Sequence, residues 1–312
     1  MLELALMLEG QNGLNWPRWQ RIAAAVEDLG LAGLYRSDHY TNSNPPDLDS
    51  LELWISLTWL ASHTRRIQFG PLVSPVSFRQ PTMTARMASA VDDLSDTGGG
   101  GRLQLGLGAG WQEREHAHYG WDLLAVPRRF ARFEEGLKII THLLSQEAPL
   151  DFNGEFFKLK EARLLPRPQR PGGPPIVIGG NGVKRTLPLV ARYASEWNAV
   201  YIPATEFAKL NRRLDELLLA AGRKPVEVRR SLMAGCVFGQ DEAEVKRKLE
   251  ARGRTVEPLK TLGVVVGTAN EVVEQLGELA AAGVQRVMLQ WLDLDDLDGL
   301  AALAQSVLPQ LG

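Results

Sequence analysis

Short apolar segments with strand character alternate with segments of helical periodicity along the whole chain, and this alternation most constrains the fold. A repeated strand-helix-strand order requires parallel strands, because each helix carries the chain back to the starting edge of the sheet. Eight such units close a (β/α)8 barrel, and 312 residues is an ordinary length for that fold. We therefore predict an α/β protein with a (β/α)8 (TIM) barrel. The predicted strands are Glu3–Glu9, Gly33–Asp38, Ile67–Ser74, Arg102–Gly108, Ile176–Gly179, Trp197–Ile202, Arg230–Phe238 and Arg286–Trp291.

Two stretches interrupt this regular order. Asn153-Gly154 is typical of a type I′ turn, in which both central residues need positive φ, so we predict a hairpin insertion before the fifth strand. Residues 239–262 are charged and helical in their first half, which predicts a second insertion after the seventh strand. No repeat or linker divides the chain, and we expect residues 1–312 to form a single domain.

Composition and charge argue against several classes of function. A net charge of −2 disfavours a nucleic-acid interface or a membrane-surface patch. Cys236 is the one cysteine and cannot form an intrachain disulfide, which is typical of a reducing compartment. The N-terminal segment has no basic start or uninterrupted apolar run, and no stretch is apolar enough to span a membrane. We expect a cytoplasmic protein that acts on a small molecule, without nucleic acid or membrane as partner.

Polar residues and glycines gather where the predicted strands end, which is the end that carries the active site in barrels of this type. The second strand ends in Asp38 and His39, and a histidine with a pKa near ~6.5 can give or take a proton at neutral pH. The alternative is a surface histidine, with Asp38 capping the next turn. Glycine-rich turns follow the fourth and fifth strands, where backbone can approach a ligand closely and amides can bind a phosphate.

Other candidate residues lie around the same end of the barrel. Glu9, Trp111 and Trp291 stand at strand ends and are candidates for the wall of a substrate pocket. His116 and His118 have the spacing of a metal pair, but residues two apart on a helix face different directions. We therefore expect no metal site.

Five motifs together resemble the luciferase-like flavin and deazaflavin oxidoreductases, the barrel family that includes bacterial luciferase and enzymes that use coenzyme F420. They occur in the family's order over the first two thirds of the chain, and beyond Ala204 the similarity is one of architecture alone. The motifs are Ser37-Asp-His39, Arg66–Pro75, Phe78-Arg-Gln-Pro81, Leu105–Trp111 and Ile178–Gly182. The run of glycines at 98–101 is longer than the family's turn at this place, which affects a loop and leaves the site unchanged.

The resemblance implies roles for individual residues. Leu72-Val73 would form a non-proline cis peptide that supports the middle ring of the cofactor, with Ser74 following it. Asp38 would lie near the ring system, and His39 would face the reacting carbon as the catalytic residue. The remaining implied cofactor contacts are Gly108, Ala109, Gly110 and Gln112 at the ring and ribityl chain, and Gly179, Gly180, Asn181 and Gly182 at the phosphate.

The resemblance also implies the reaction. We expect hydride transfer with coenzyme F420 as cofactor, while His39 moves the accompanying proton at a carbonyl, an alcohol or a conjugated double bond. One alternative is an FMN-dependent monooxygenase, which would depend on a separate reductase; another is a flavin-binding protein without turnover. Similar proteins dimerise through the second and third helices, where Trp54, Trp59, Met83 and Met87 predict a homodimer.

Overall fold

The computed structural model describes residues 2–311 and shows parallel strands surrounded by helices. The strands are β1 (Glu3–Leu8), β2 (Gly33–Arg36), β3 (Gln68–Pro71), β4 (Ser74–Pro75), β5 (Leu105–Gly108), β6 (Leu150–Asn153), β7 (Lys158–Ala162), β8 (Ile176–Gly179), β9 (Glu196–Val200), β10 (Arg229–Phe238), β11 (Val265–Gly267) and β12 (Arg286–Gln290). Neighbouring strands follow the order β3-β2-β1-β12-β10-β9-β8-β5-β4. The backbone N–H of Phe69 donates to the carbonyl of Arg102, and its carbonyl accepts from the N–H of Gln104, which brings the two ends of this sheet together. The predicted barrel is confirmed.

Helices surround the barrel and its insertions, and most of the longer ones are amphipathic and bury one face. They are α1 (Trp16–Asp28), α2 (Leu53–His63), α3 (Pro81–Leu94), α4 (Glu113–His118), α5 (Val126–Ser145), α6 (Thr186–Tyr193), α7 (Ala204–Ala220), α8 (Glu242–Ala251), α9 (Val256–Thr261), α10 (Ala269–Ala281) and α11 (Leu297–Val307). In α1 the buried face consists of Trp19, Ile22, Ala23 and Val26. The side chain of Asn15 accepts a hydrogen bond from the backbone N–H of Arg18 and so begins this helix. None of the helices in residues 2–311 has the length and apolarity to cross a membrane.

The third barrel strand is interrupted between β3 and β4, at the cis peptide predicted for Leu72-Val73. The neighbouring strand comes very close to this interruption. A Cβ atom on Gly70 would collide with the carbonyl oxygen of Gln104, and one on Gly106 with the carbonyl oxygen of Pro71. Glycine at these two positions lets the third and fourth barrel strands meet beneath the site.

The hairpin insertion is present as the antiparallel pair β6 and β7, but the predicted type I′ turn is wrong. Neither Asn153 nor Gly154 has a positive φ, and Asn153 pairs with Lys158. The carboxylate of Glu135 on α5 accepts hydrogen bonds from the backbone N–H groups of residues 155, 156 and 157. The longer turn is therefore held by a side chain from α5.

The insertion after the seventh barrel strand is confirmed and adds a strand that the sequence analysis did not predict. The first half of β10 pairs within the barrel, while Cys236 to Phe238 continue beyond it and pair with β11. Helices α8 and α9 connect the two strands and bury Val245 and Leu249 in a small separate cluster. This extension stands outside the closed barrel.

Candidate active site

A cavity of about 650 Å³ opens among the carboxyl ends of the barrel strands. That size is typical of small-molecule and cofactor sites. Its wall contains many of the residues that the sequence analysis singled out, namely Glu9, His39, Leu72, Val73, Gly108, Ala109, Gly110, Trp111, Gly179 and Gly180. Asp38, Ser74, Gln112, Asn181, Gly182 and Trp291 are not part of this wall.

Side-chain alternation explains why Asp38 and Trp291 are not part of this wall. Ser37 and His39 line the cavity while Asp38, between them, points away, because successive side chains of an extended segment face opposite directions. The same rule corrects the prediction that Trp291 walls the pocket. Met288 packs inside the barrel, whereas Trp291 packs in the outer core and borders a small cleft beside Cys236.

His39 pairs with a carboxylate that the sequence analysis missed. Its Nδ1 lies 3.0 Å from Oε1 and 3.3 Å from Oε2 of Glu115, on α4. A carboxylate accepts, so Nδ1–H donates, and Nε2 is the ring nitrogen left for the cavity. Burial lowers the pKa of His39, but the hydrogen bond and the charge of Glu115 outweigh it and raise the pKa above its ordinary value.

Glu115 is completely buried, and backbone groups hold it in place. Its Oε2 accepts hydrogen bonds from the backbone N–H of Tyr40 at 2.6 Å and of Thr41 at 3.4 Å. The carboxylate thus ties the segment after His39 to α4 and fixes the imidazole ring. The local sequence holds no signal that separates Glu115 from the exposed Glu113 on the same short helix.

Asp38 takes part in a second buried network. Its carboxylate pairs with Arg79 and accepts a hydrogen bond from the Ser74 hydroxyl at 2.6 Å. Arg79 also pairs with Glu52 and donates to the Tyr40 hydroxyl. These contacts bind the end of the second strand to the interrupted third strand, so Asp38 and Ser74 position the wall of the cavity. A direct contact of either residue with a cofactor stays a prediction.

Leu72 and Val73 form one side of the cavity. A Cβ on Gly108 would lie 2.7 Å from Val73 Cγ2, and one on Gly179 would lie 3.2 Å from Val73 Cγ1. Because glycine has no side chain at these two positions, three strand ends can pack around Val73. The result is a continuous apolar wall against which a planar ring can lie.

Hydrogen bonds within the protein shape the glycine-rich turn after β8. The N–H of Gly180 donates to the carbonyl of Asn198, and the side chain of Asn181 forms two hydrogen bonds with the backbone of Val200. Gly180 has φ +123°, a conformation that favours glycine. These contacts shape the turn and use the backbone N–H of Gly180, whereas no hydrogen bond within residues 2–311 uses those of Asn181 and Gly182.

Arg129 on α5 is a cation in the cavity wall that the sequence analysis did not select. Its Nη1 donates to the carbonyl of Gly110 at 2.8 Å. Its Nε is buried and has no hydrogen-bond partner among residues 2–311. A buried donor without a partner in the protein can donate to an acceptor on a ligand at this end of the cavity.

Gln112 and His116 are occupied by contacts within the protein. The side chain of Gln112 exchanges hydrogen bonds with the hydroxyl and the carbonyl of Thr41. Both ring nitrogens of His116 have partners, the Ser77 hydroxyl and the Gln112 carbonyl. These two side chains fix the short helix α4, and with it Glu115.

On the side of the cavity away from Arg129, polar side chains are linked to one another by hydrogen bonds. Gln11 and Gln290 both donate to the Glu9 carboxylate, at 2.9 and 2.6 Å. Ser37 donates to Gln11, and the Tyr201 hydroxyl donates to Gln290. Burial, followed by the charge of Glu9, raises the pKa of Tyr201 to about 12, so its hydroxyl stays protonated. Each of these polar groups already has a partner in the protein.

A closed barrel with a histidine–carboxylate pair in a cavity at the strand ends defines an enzyme of the TIM-barrel class. The family model for luciferase-like monooxygenase matches residues 5–262. The chain belongs to this family and is an oxidoreductase.

Individual relatives and structures agree with this assignment. F420-dependent glucose-6-phosphate dehydrogenase of Kineococcus radiotolerans is 26% identical over 290 residues, which are 91% of this chain and 81% of that protein. 4-Hydroxyprotoasukamycin monooxygenase of Streptomyces nodosus subsp. asukaensis is 25% identical over 320 residues, 92% and 84% of the two chains. The structure of an F420-dependent secondary alcohol dehydrogenase with an F420-acetone adduct superposes with a TM-score of 0.86 at 16% identity, covering 100% of this chain and 99% of that one. This last similarity shows the fold.

Proposed function

We propose that the protein uses coenzyme F420 to transfer a hydride to or from a small organic substrate. The histidine–carboxylate pair carries this proposal, because it places one proton donor and acceptor at the cavity surface beside a wall suited to a planar ring. The names of relatives support the deazaflavin, since F420-dependent enzymes occur among them.

The residues present fit this cofactor. The apolar wall at Leu72 and Val73 would support the ring system, and glycine at positions 108 and 179 lets Val73 pack into this wall. The buried Nε of Arg129 would find its acceptor in the cofactor's phosphate. When bound, the deazaflavin supplies or accepts the hydride at the substrate carbon.

The protein itself provides the proton donor and acceptor, and it holds this group in position. His39 Nε2 gives a proton to the carbonyl oxygen during reduction and takes it from the hydroxyl during oxidation. Glu115 is a positioning residue, because it holds the imidazole in one tautomer and stabilises its protonated form.

Equilibrium titration of the purified protein with F420 and with FMN, followed by absorption and fluorescence, tests the proposal. We expect F420 to bind at least tenfold more tightly, a difference of about 1.4 kcal/mol. Tighter binding of FMN would favour the monooxygenase alternative, with its need for a separate reductase. Failure to bind either compound would overturn the proposal and the assignment of the cavity.

A further inference from the structure

A second cavity, of about 480 Å³, lies beside the active-site cavity and shares no lining residue with it. Its wall is formed by the segment between β4 and α3, the loop between α4 and α5, the first two turns of α5 and the turn between β6 and β7. That volume is within the range of small-molecule sites. The proposed hydride transfer and the proposed cofactor contacts make no use of this second cavity.

Three arginines line the second cavity, and one of them has no partner. Arg79 pairs with Asp38, and the exposed Arg128 pairs with Glu155. Arg132 has no ion pair within residues 2–311, and its Nε and Nη2 are buried without a hydrogen-bond partner there. Burial lowers the pKa of Arg132, yet a guanidinium keeps its charge at neutral pH. Arg132 is therefore the cation of this wall that is free to bind an anion.

The two unpartnered nitrogens lie on one edge of the guanidinium, and this edge can bind both oxygens of a carboxylate. Arg18 shows the geometry in the same protein, because its Nε donates to Oδ1 of Asp295 at 3.1 Å and its Nη2 to Oδ2 at 2.6 Å. Arg132 has the same two donors without such a carboxylate. Its long side chain is partly exposed and lines the cavity, so rotation about its outer bonds turns this edge toward a ligand.

The rest of the wall favours an aromatic ligand with a single negative charge. Four aromatic side chains belong to it, Phe78, Trp121, Phe156 and Phe157. Aromatic rings bury a large apolar area and attract one another in offset and edge-to-face arrangements. The one carboxylate in the described wall, Asp122, is exposed and accepts a hydrogen bond from the N–H of Leu124. Because one free cation faces one exposed anion here, a monoanion fits better than a phosphate dianion.

We propose that the second cavity binds a small carboxylate with an aromatic body. The carboxylate accepts hydrogen bonds from Nε and Nη2 of Arg132, and the ring of the ligand lies among the aromatic side chains of the wall. This site is independent of the cofactor and of the proposed reaction.

The second cavity also borders residues that support the active site. The Ser77 hydroxyl lies 2.8 Å from Nε2 of His116, which fixes α4, and Arg79 pairs with Asp38. Ser77 and Arg79 both line the second cavity. A ligand bound there contacts these supports without entering the active-site cavity.

Isothermal titration calorimetry of the purified protein tests the proposal with four probes. They are 3-phenylpropionate, its uncharged amide 3-phenylpropionamide, propionate and phenyl phosphate. We expect a dissociation constant below about 1 mM for 3-phenylpropionate, and binding at least about tenfold weaker for each of the other three. Equal affinity for the acid and the amide, tighter binding of phenyl phosphate, or no binding of 3-phenylpropionate at about 10 mM would overturn the proposal.

Substitutions on α5 locate the binding site. Arg132→Gln should weaken binding of 3-phenylpropionate at least about tenfold, and Arg132→Lys should weaken it about threefold or more, because lysine keeps the charge but lacks the two-donor edge. Arg129→Gln is the matched control in the wall of the active-site cavity and should change the affinity about threefold or less. Unchanged affinity in both Arg132 variants would overturn the proposal. A loss in Arg129→Gln larger than in Arg132→Gln would also overturn it, because the ligand would then lie in the active-site cavity.

Discussion

At the scale of single residues, the site depends on His39 and Glu115, which are 76 positions apart in sequence. The sequence identified His39 because a strand leads directly to it. It could not identify Glu115, because that carboxylate becomes important only when the barrel brings α4 against the end of β2. The alternation of side chains along an extended segment would have predicted that Asp38 points away from the cavity, since it lies between Ser37 and His39.

Glu115→Gln should change the pH dependence of the reaction. Glu115 raises the pKa of His39, so its loss should move that pKa downward. Ketone reduction needs protonated His39, and its rate should therefore begin to fall at a lower pH than in the wild type, while alcohol oxidation should gain rate at a lower pH. The pH profile of kcat/KM measures this. The exposed Glu113→Gln is the control, and identical profiles for wild type and Glu115→Gln would contradict the assignment.

The raised pKa of His39 also predicts a contribution to stability that depends on pH. A raised folded-state pKa of His39 stabilises the native state fully below the ordinary histidine pKa, and this contribution disappears as pH rises through the raised value. Urea unfolding at a series of pH values should therefore show the difference between wild type and Glu115→Gln shrinking as pH rises across that window. A difference that grows with pH would contradict the sign of the shift.

Arg129→Gln should weaken cofactor binding. It removes the one arginine in the described wall of the cavity, whose Nε has no partner among residues 2–311, and a hydrogen bond to a charged group contributes about 1.5–3 kcal/mol, or about 10- to 150-fold in affinity. Fluorescence titration with F420 measures the loss. Arg128→Gln is the matched control, because Arg128 is exposed and pairs with Glu155. Equal affinities for the two variants would show that Arg129 does not bind the phosphate.

At the scale of elements, the sequence predicted which segments form helices and strands better than it predicted how they join. The strand predicted over Ile176–Gly179 is observed with the same bounds as β8. Asn153-Gly154 correctly indicated a hairpin but not its turn, because Glu135 on α5 supplies acceptors for the turn amides. A contact between distant elements thus overrode a local preference.

Glu135→Ala tests this explanation of the hairpin. Three backbone N–H groups would lose their acceptor, which should lower the free energy of unfolding by about 1–3 kcal/mol. Urea denaturation measures it. Glu134→Ala is the neighbouring control, with partly exposed ion pairs to Arg192 and Lys138 that contribute less than about 1 kcal/mol. An equal or smaller loss for Glu135→Ala would mean that the turn is stable without this carboxylate.

At the scale of the whole molecule, the barrel closes at its amino end around a buried polar cluster. Arg286 is 1% exposed in its side chain and pairs with Glu3 and Glu196, while Tyr35 and Gln68 accept further hydrogen bonds. Four strands meet there, β1, β2, β9 and β12, together with the start of β3. Parallel strands and their number could be predicted from sequence, but this cluster could not, because its members come from separate units of the barrel.

Exposed apolar side chains on the outer surface predict an assembly of two subunits. Ile55 on α2 is 60% exposed and Met83 on α3 is 49% exposed, and the two helices pack against each other. We propose that they form the homodimer contact, so Ile55→Lys should shift the protein from dimer to monomer by a factor of ten or more in the dissociation constant. Sedimentation equilibrium measures it, with Leu219→Lys, 64% exposed on α7, as the control. A monomeric wild type would contradict the proposal.

In the proposed reaction His39 moves the proton while other residues hold the cofactor, and His39→Ala tests this division of roles most directly. The measurement is the F420 dissociation constant together with kcat at saturating cofactor, using the carbonyl substrate that the wild type turns over fastest. We predict an unchanged dissociation constant and a fall in kcat of about 10²- to 10⁴-fold. Weaker F420 binding with unchanged kcat, or no change in either quantity, would contradict the account.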